Sequence, residues 1–230
     1  MSSPPPSPRG LVIAIDGPSG AGKSTAGRIL ADRLGYVFLD TGAMYRALAL
    51  QALRRGVALD DGPVLAELAR ASPIDLAPGG GVRLDGEDVT AAIRTREVSA
   101  AASRVSVHPA VRREMVARQR EMGSGGGVVM DGRDIGTAVF PDADVKFYVD
   151  ADPAQRARRR HEELAAAGVP SDLRAIEEET RQRDRADSTR TDSPLTRAPE
   201  AVHVDTTGLA PEAVVDRMLA VVEGRRRGHA

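Results

Sequence analysis

Leu11 to Ser24 reads LVIAIDGPSGAGKS. A short apolar run ends in a Gly-rich turn, and helical spacing starts at Lys23, with Ile29, Leu30 and Leu34 on one side and Gly35 as a stop. Gly17-Pro18-Ser19-Gly20-Ala21-Gly22-Lys23-Ser24 fits G-x-x-x-x-G-K-[ST], in the strand–loop–helix context that this pattern needs. Glycines let a backbone wrap phosphate oxygens closely, and consecutive N–H groups plus a helix N-terminus supply donors. Gly17 to Thr25 is therefore expected to bind ATP. Lys23 would serve as a mobile charge for the β- and γ-phosphates, and Ser24 would supply a hydroxyl to Mg²⁺. The chain holds two lysines, Lys23 and Lys146, in a Lys+Arg total of 32, so a lysine at this one demanding position adds weight. A metal-side carboxylate belongs at the end of a neighbouring strand. Asp131, after Val128-Val129-Met130, fits, acting through water. Asp16 either orders the loop or touches the metal shell, and ordering is the better fit.

Working outward, short strands alternate with helices. Strands are expected at Tyr36–Leu39, Val128–Met130, Val145–Val149 and Ala201–Val204. Helices are expected from about Gly42 to Arg55, from about Asp61, across Thr90–Met122, from Asp152-Pro153 to a break at Gly168–Ser171 and on to about Ala186, and from Pro211 to near Gly224. This alternation predicts an α/β, P-loop NTPase-type parallel sheet of five strands covered by helices on both faces. Ligands of such sheets sit at the carboxyl ends of the strands. Between Pro73 and Asp88 the texture changes to short β-like pieces separated by Gly79-Gly80-Gly81 and Asp85-Gly86, an inserted meander.

The 230 residues suit one core with an insert. A net charge of −1 argues against a generic nucleic-acid binder. The absence of cysteine excludes disulfides, thiolate metal sites and Cys nucleophiles, and fits a reducing compartment. No apolar run is long enough to span a membrane. Met1 to Gly10 is Ser/Pro-rich, lacks a signal-peptide core and reads as a disordered tail. Arg225-Arg226-Arg227 reads as a solvated tail after the last helix. A cytoplasmic monomer with small-molecule partners, and with neither nucleic acid nor membrane, is expected.

P-loops serve GTPases, motors and small-molecule kinases. No N-K-x-D-like guanine reader is present, and the chain is short for a motor. Arginines crowd the segment between the fourth and fifth core strands: Arg156, Arg158, Arg159, Arg160, Arg181, Arg183, Arg185 and Arg190. Such a segment could close over phosphates as a lid. Solvated helices with i,i+4 ion pairs account for some of these arginines. Asp40–Arg46 and Asp131–Asp134 each follow a strand and would face one cleft if those strands flank the P-loop strand. Arg46, Arg112 and Arg133 could then fork an acceptor phosphate, while Asp134 and Asp187 could accept hydrogen bonds from a base amine or a ribose. No general base stands out, and His108, His161, His203 and His229 are scattered. An acceptor that is already an anionic phosphate needs none, whereas a hydroxyl acceptor would usually benefit from one. Another small-molecule kinase and a non-catalytic nucleotide sensor are the competing readings.

The segments IDGPSGAGKST, LDTGAMYRALAL, EDVTAAIRT, DGRDIGTAVFPDADVKFYVDA and RQRDRADSTR together closely resemble the bacterial cytidylate kinase family, from about Leu11 to Ala220. The resemblance implies transfer of the γ-phosphoryl group of ATP to CMP or dCMP with Mg²⁺. It also implies a domain over 11–225, with a monophosphate-binding insert near 63–101 and a helical lid near 156–186. It places Thr41, Arg46, Ser103, Arg112, Arg133, Asp134, Arg183 and Asp187 around CMP. Ser103, Arg133 and Asp134 would read the cytosine, Arg183 and Asp187 would hold the sugar, and Arg46 and Arg112 would bind the α-phosphate. Arg190 and the lid arginines Arg156 and Arg159, with Lys23, would stabilise charge during transfer. Where Thr41 stands, relatives often carry Ser, and where Ser24 stands they carry Gly or Ser. Arg185-Ala186-Asp187-Ser188 is less basic than in some relatives, which puts one lid-side arginine in doubt.

Overall fold

The structure, a computed structural model, describes residues 10–166 and 168–227. The tail expected at residues 1–10 falls, except for Gly10, outside the described residues. The main sheet is parallel and has five strands. These are β1 (Val12–Asp16), β2 (Val37–Asp40), β6 (Val128–Gly132), β7 (Val145–Asp150) and β8 (Val202–Asp205), arranged β2-β6-β1-β7-β8. The P-loop strand β1 is thus central, with every residue buried, as expected of a parallel strand covered on both faces.

Side chains alternate across β1 and so feed two cores. Ile13 and Ile15 join Leu30 of α1 (Lys23–Leu34), Val129, Phe147, and Val215 and Met218 of α8 (Pro211–Arg227). Val12 and Ala14 join Leu39, Val128, Met130, Ile135 and Val139 on the other face. With so few aromatics, Phe147 is the largest fully buried side chain among the described residues, and aliphatic side chains build the rest.

A third core lies among the helices α2 (Thr41–Arg54), α3 (Gly62–Ala71), α4 (Arg96–Val105) and α5 (Pro109–Gly123). The expected meander is a separate antiparallel sheet of β3 (Ile74–Leu76), β4 (Val82–Leu84) and β5 (Glu87–Asp88). The basic segment forms α6 (Pro153–Ala166) and α7 (Leu173–Thr189). Asp152 caps α6 by accepting from Ala154 N and Gln155 N, and Asp172 caps α7 by accepting from Ala175 N.

Several boundaries move, three of them at the site and the C-terminal end. β6 continues through Asp131 and Gly132, because both pair with β1 across from Ile15 and Asp16. α7 runs past Ala186 to Thr189. Arg225-Arg226-Arg227 is not a tail beyond the last helix but its final turn. Arg226 donates to Tyr36 Oη at 2.8 Å and stacks over that ring, and Arg225 donates to Asp144 O at 3.1 Å. These contacts carry the helix through Gly224, whose helical cost is about 1 kcal/mol.

Candidate active site

The cradle is made by main chain. Gly17 has φ 145°, and a Cβ there would stand 1.9 Å from Val149 O, so only glycine lets β1 turn this close beside β7. Gly22 has φ 86° and caps α1 in the left-handed region, which directs the first N–H groups of that helix into the loop. Lys23 Nζ donates to Pro18 O at 2.7 Å, inside the turn. Burial pushes the Lys23 ammonium well below its usual range, and the nearby Arg133 guanidinium adds to that shift. Ser24 Oγ donates to Asp131 Oδ2 at 2.6 Å. Asp131 Oδ1 is buried without a hydrogen-bond partner. Burial raises the Asp131 carboxyl, and Asp40, opposite it in register on β2, raises it further. An unpartnered carboxylate oxygen beside a hydroxyl, with a second carboxylate close by, is a donor set that suits a hard divalent cation.

The segments 40–46 and 131–134 lie side by side, with one change from the expected strand order. Of the two strands that lead into these segments, only β6 flanks β1, and β2 lies beyond β6. Asp40 caps α2 through Ala43 N (2.9 Å) and binds Arg46 Nη2 (2.8 Å). Thr41 Oγ1 donates to Asp131 O at 2.7 Å, tying the start of α2 to β6. Arg112 is 2% exposed, pairs with Asp134, and lies 5.7 Å over the Tyr45 ring. Asp134 also faces Arg190, whose Nη2 lies 3.8 Å away, while Arg190 Nε donates to Ser193 O at 2.6 Å. Arg133 Nε donates to Asp187 Oδ2 at 2.9 Å. Burial alone would raise Asp187, but Arg133 and Arg183 hold it below the usual carboxylate range. Burial, then repulsion from Arg133, lowers Arg183 to about 10. Arg46 Nε, Arg112 Nε and Arg190 Nη2 are buried with no hydrogen-bond partner. Arg112 and Arg190 share Asp134 while Arg46 pairs with Asp40, and each keeps a buried unsatisfied guanidinium donor, which makes this face anion-seeking.

Ser103, on α4, donates to Ser99 O within its own helix at 3.3 Å. It lines a cavity of about 350 Å³ with Leu59, Asp60, Val107, His108 and Ala186, next to Asp187. Arg156 and Arg159 stand on the donor side instead. Arg156, 3% exposed, spans Asp184 (2.6 Å), Ser19 O (3.1 Å) and Ala151 O (3.0 Å). Arg159 donates to Thr206 O (2.7 Å) and Thr206 Oγ1 (3.1 Å), and Thr206 Oγ1 donates to Ala21 O (3.0 Å). Thr25 is exposed at the start of α1.

Asp184, Thr206 and Tyr45 were not singled out from the sequence. Thr206 directly follows β8, so the strand-end rule could have found it. Asp184 and Tyr45 act by pairing with arginines far away in the chain, which no local pattern reveals.

A sequence profile describing cytidylate kinase matches residues 13–224. Proteins described as cytidylate kinase from Solibacter usitatus and Geobacillus kaustophilus are 52% and 53% identical over 217 and 220 residues. These alignments cover 94% of this chain in both cases, and 93% and 98% of the respective relatives. A solved structure of an uncharacterized protein from Eubacterium ventriosum has a TM-score of 0.51 at 9% identity, covering 93% of this chain and 98% of its own, a likeness of fold alone. With a profile match over residues 13–224 and identity above one half along nearly the full chain, the chain belongs to the cytidylate kinase family.

Proposed function

We infer that the protein transfers the γ-phosphoryl group of ATP to CMP and dCMP, giving ADP with CDP or dCDP. Membership of the family along nearly the whole chain carries this reading. The geometry supports it. The backbone cradle and the arginine cluster meet at β6, where Asp131 faces the cradle and Arg133 and Asp134 face the acceptor side.

Residue roles follow as part of the proposal. Lys23 and the loop N–H groups from Gly17 to Thr25 hold the β- and γ-phosphates. Ser24 and Asp131 hold Mg²⁺, in part through water. The ion, when bound, neutralises charge on the phosphates and orients them. Arg46 and Arg112 take the acceptor α-phosphate, with Thr41 fixing the start of α2. Ser103, Arg133 and Asp134 read the cytosine, while Arg183 and Asp187 hold the sugar. Each buried guanidinium already has a carboxylate neighbour, so an entering phosphate exchanges one anionic partner for another at little desolvation cost.

The acceptor oxygen is already anionic near neutral pH, so the protein supplies alignment and positive charge rather than a base. Arg190, beside Asp134 and Asp187, serves charge developing in transfer. Arg156 and Arg159 serve it once the lid, near 156–186, rearranges and they leave their carbonyl partners. The insert near 63–101 closes the acceptor side. Closure excludes water, which would otherwise hydrolyse ATP. The protein acts as a cytoplasmic monomer on small nucleotides, with neither nucleic acid nor membrane as partner; among the described residues, no helix is long and apolar enough to cross a membrane.

The test is coupled ADP release with ATP, Mg²⁺ and a panel of CMP, dCMP, UMP, AMP, GMP, dTMP and shikimate. Strong stimulation by CMP and dCMP, with UMP weak, is expected. Stimulation by shikimate alone, or by no acceptor, would overturn the reading.

A further inference from the structure

Asp16 is the last residue of β1, and its carboxylate is used in an unexpected direction. It lies immediately before the cradle, yet the hydrogen bonds it accepts come from the acceptor side. Oδ1 accepts from Ile135 N at 2.7 Å and Oδ2 from Gly136 N at 2.7 Å. These are the first two N–H groups of the short π-helical turn Ile135–Val139, which directly follows Asp134. The turn closes onto Asp134 O from above, through Ala138 N (2.8 Å) and Val139 N (3.1 Å). Asp134 is therefore held on both sides by main-chain bonds while its carboxylate projects to Arg112 and Arg190.

Asp16 is 5% exposed, so a buried negative charge is satisfied by two backbone donors rather than by a cation. Burial lifts this carboxyl to about 6, against the two N–H groups that pull it down. A fold rarely keeps so costly a group without a use for its geometry. The space around it is shaped to match. At Gly136 a Cβ would stand 3.0 Å from Lys146 Cδ and 3.3 Å from Asp16 Oδ2, so glycine at this position lets the carboxylate reach both amides.

We propose that Asp16 is a positioning residue for the acceptor: its two-pronged bond to Ile135 and Gly136 sets Arg133 and Asp134 at a fixed place relative to the phosphate cradle that begins one residue later. The β1–β6 ladder ends at Gly132 opposite Asp16, and the Asp16 carboxylate continues that link into the acceptor turn, whose drift would move the cytosine-reading side chains. The proposal rests on the reading of Arg133 and Asp134 as acceptor contacts.

The experiment measures steady-state CMP and ATP kinetics and the ADP dissociation constant for Asp16→Asn, Gly136→Ala and Asp134→Ala, with circular dichroism as the check on folding. In Asp16→Asn an amide NH₂ faces an N–H, one prong is lost, and the other is no longer charge-assisted. The CMP KM should rise roughly tenfold or more, as for a lost hydrogen bond to a charged group, with ADP affinity within about twofold of the parent. Gly136→Ala keeps Asp16 but crowds the bond, and should raise the CMP KM in the same direction by a smaller factor. It decides the matter if Asp16→Asn fails to fold. Equal losses of ADP and CMP affinity, or an unchanged CMP KM in the folded variants, would overturn the proposal. If Asp134→Ala also leaves the CMP KM unchanged, the acceptor assignment has failed. If Asp134→Ala raises it while Asp16→Asn and Gly136→Ala do not, the clamp alone has failed.

Discussion

On the proposed roles, the donor cradle and the acceptor cleft both hold phosphate, with opposite materials. The cradle is one contiguous stretch, Gly17 to Ser24, built mainly from backbone donors and glycine turns. The acceptor cleft is assembled from side chains on α2, α5, the turn after β6, and α7 and its C-terminal end. Backbone amides carry no net charge and need no counter-ion while they wait. Guanidinium groups do, and here Asp40, Asp134 and Asp187 supply the counter-charge. A site made of main chain is rigid and generic to phosphate. A site made of paired side chains can select, because its partners must be exchanged in a defined pattern.

That contrast can be broken most forcefully at Lys23. Lys23→Ala should cut kcat on the order of 10³-fold while circular dichroism and melting stay close to the parent, since charge placed on the transferring phosphoryl group carries the catalysis. A variant with near-normal turnover would remove the functional meaning of the cradle. Asp134→Ala probes the other region. It leaves Arg112 and Arg190 without their shared carboxylate, and the CMP KM should rise about 100-fold with the ATP KM altered by less than about threefold, as when one partner of a buried pair is removed. Comparable changes in both constants would erase the division between the two regions.

The boundary between them should show in pH dependence. Asp16 titrates at about 6 in the fold against an ordinary 3.8, so the folded state binds the proton more tightly. The charged carboxyl therefore costs stability above about pH 6, and the cost fades as pH falls toward 4. Compared with Asp16→Asn, the parent protein should gain on the order of 2 kcal/mol of unfolding free energy between about pH 7 and pH 4.5 in urea titrations. Groups that do not feel Asp16 cancel in that difference, whereas the Lys23 ammonium, which the Asp16 charge raises, adds its own change near pH 7; a flat line would mean that the carboxyl is not raised. The smallest effect belongs to the exposed Arg96–Glu179 pair, which joins α4 to α7. Arg96→Ala should change stability by less than about 1 kcal/mol, and less still at high salt, because both ions are well solvated.

The sequence by itself determined the cradle, the alternation of strands and helices, and the meander. Each is a local pattern: glycines at the turns, apolar runs of strand length, and the helix start at Asp152. It also located the two acceptor segments after their strands, though it could only make their meeting conditional on strand order. Assignment of particular residues to cytosine, sugar and phosphate came from family resemblance, because nothing in the spacing of Arg112 and Asp134, 22 residues apart, says that they touch.

Tertiary structure alone decided the pairings. Arg156 was read with the lid arginines, but its guanidinium meets Asp184 and the Ser19 carbonyl because α6 starts beside the cradle. The C-terminal arginines looked like a tail until the fold brought Tyr36 to Arg226. Asp16 was read as ordering the phosphate loop or touching the metal shell, but its carboxylate accepts from Ile135 N, 119 residues away. The physical reason is the same in each case. Backbone conformation is set by neighbours in the chain, whereas the partner of a charged side chain is whichever opposite group the packed sheet brings within reach.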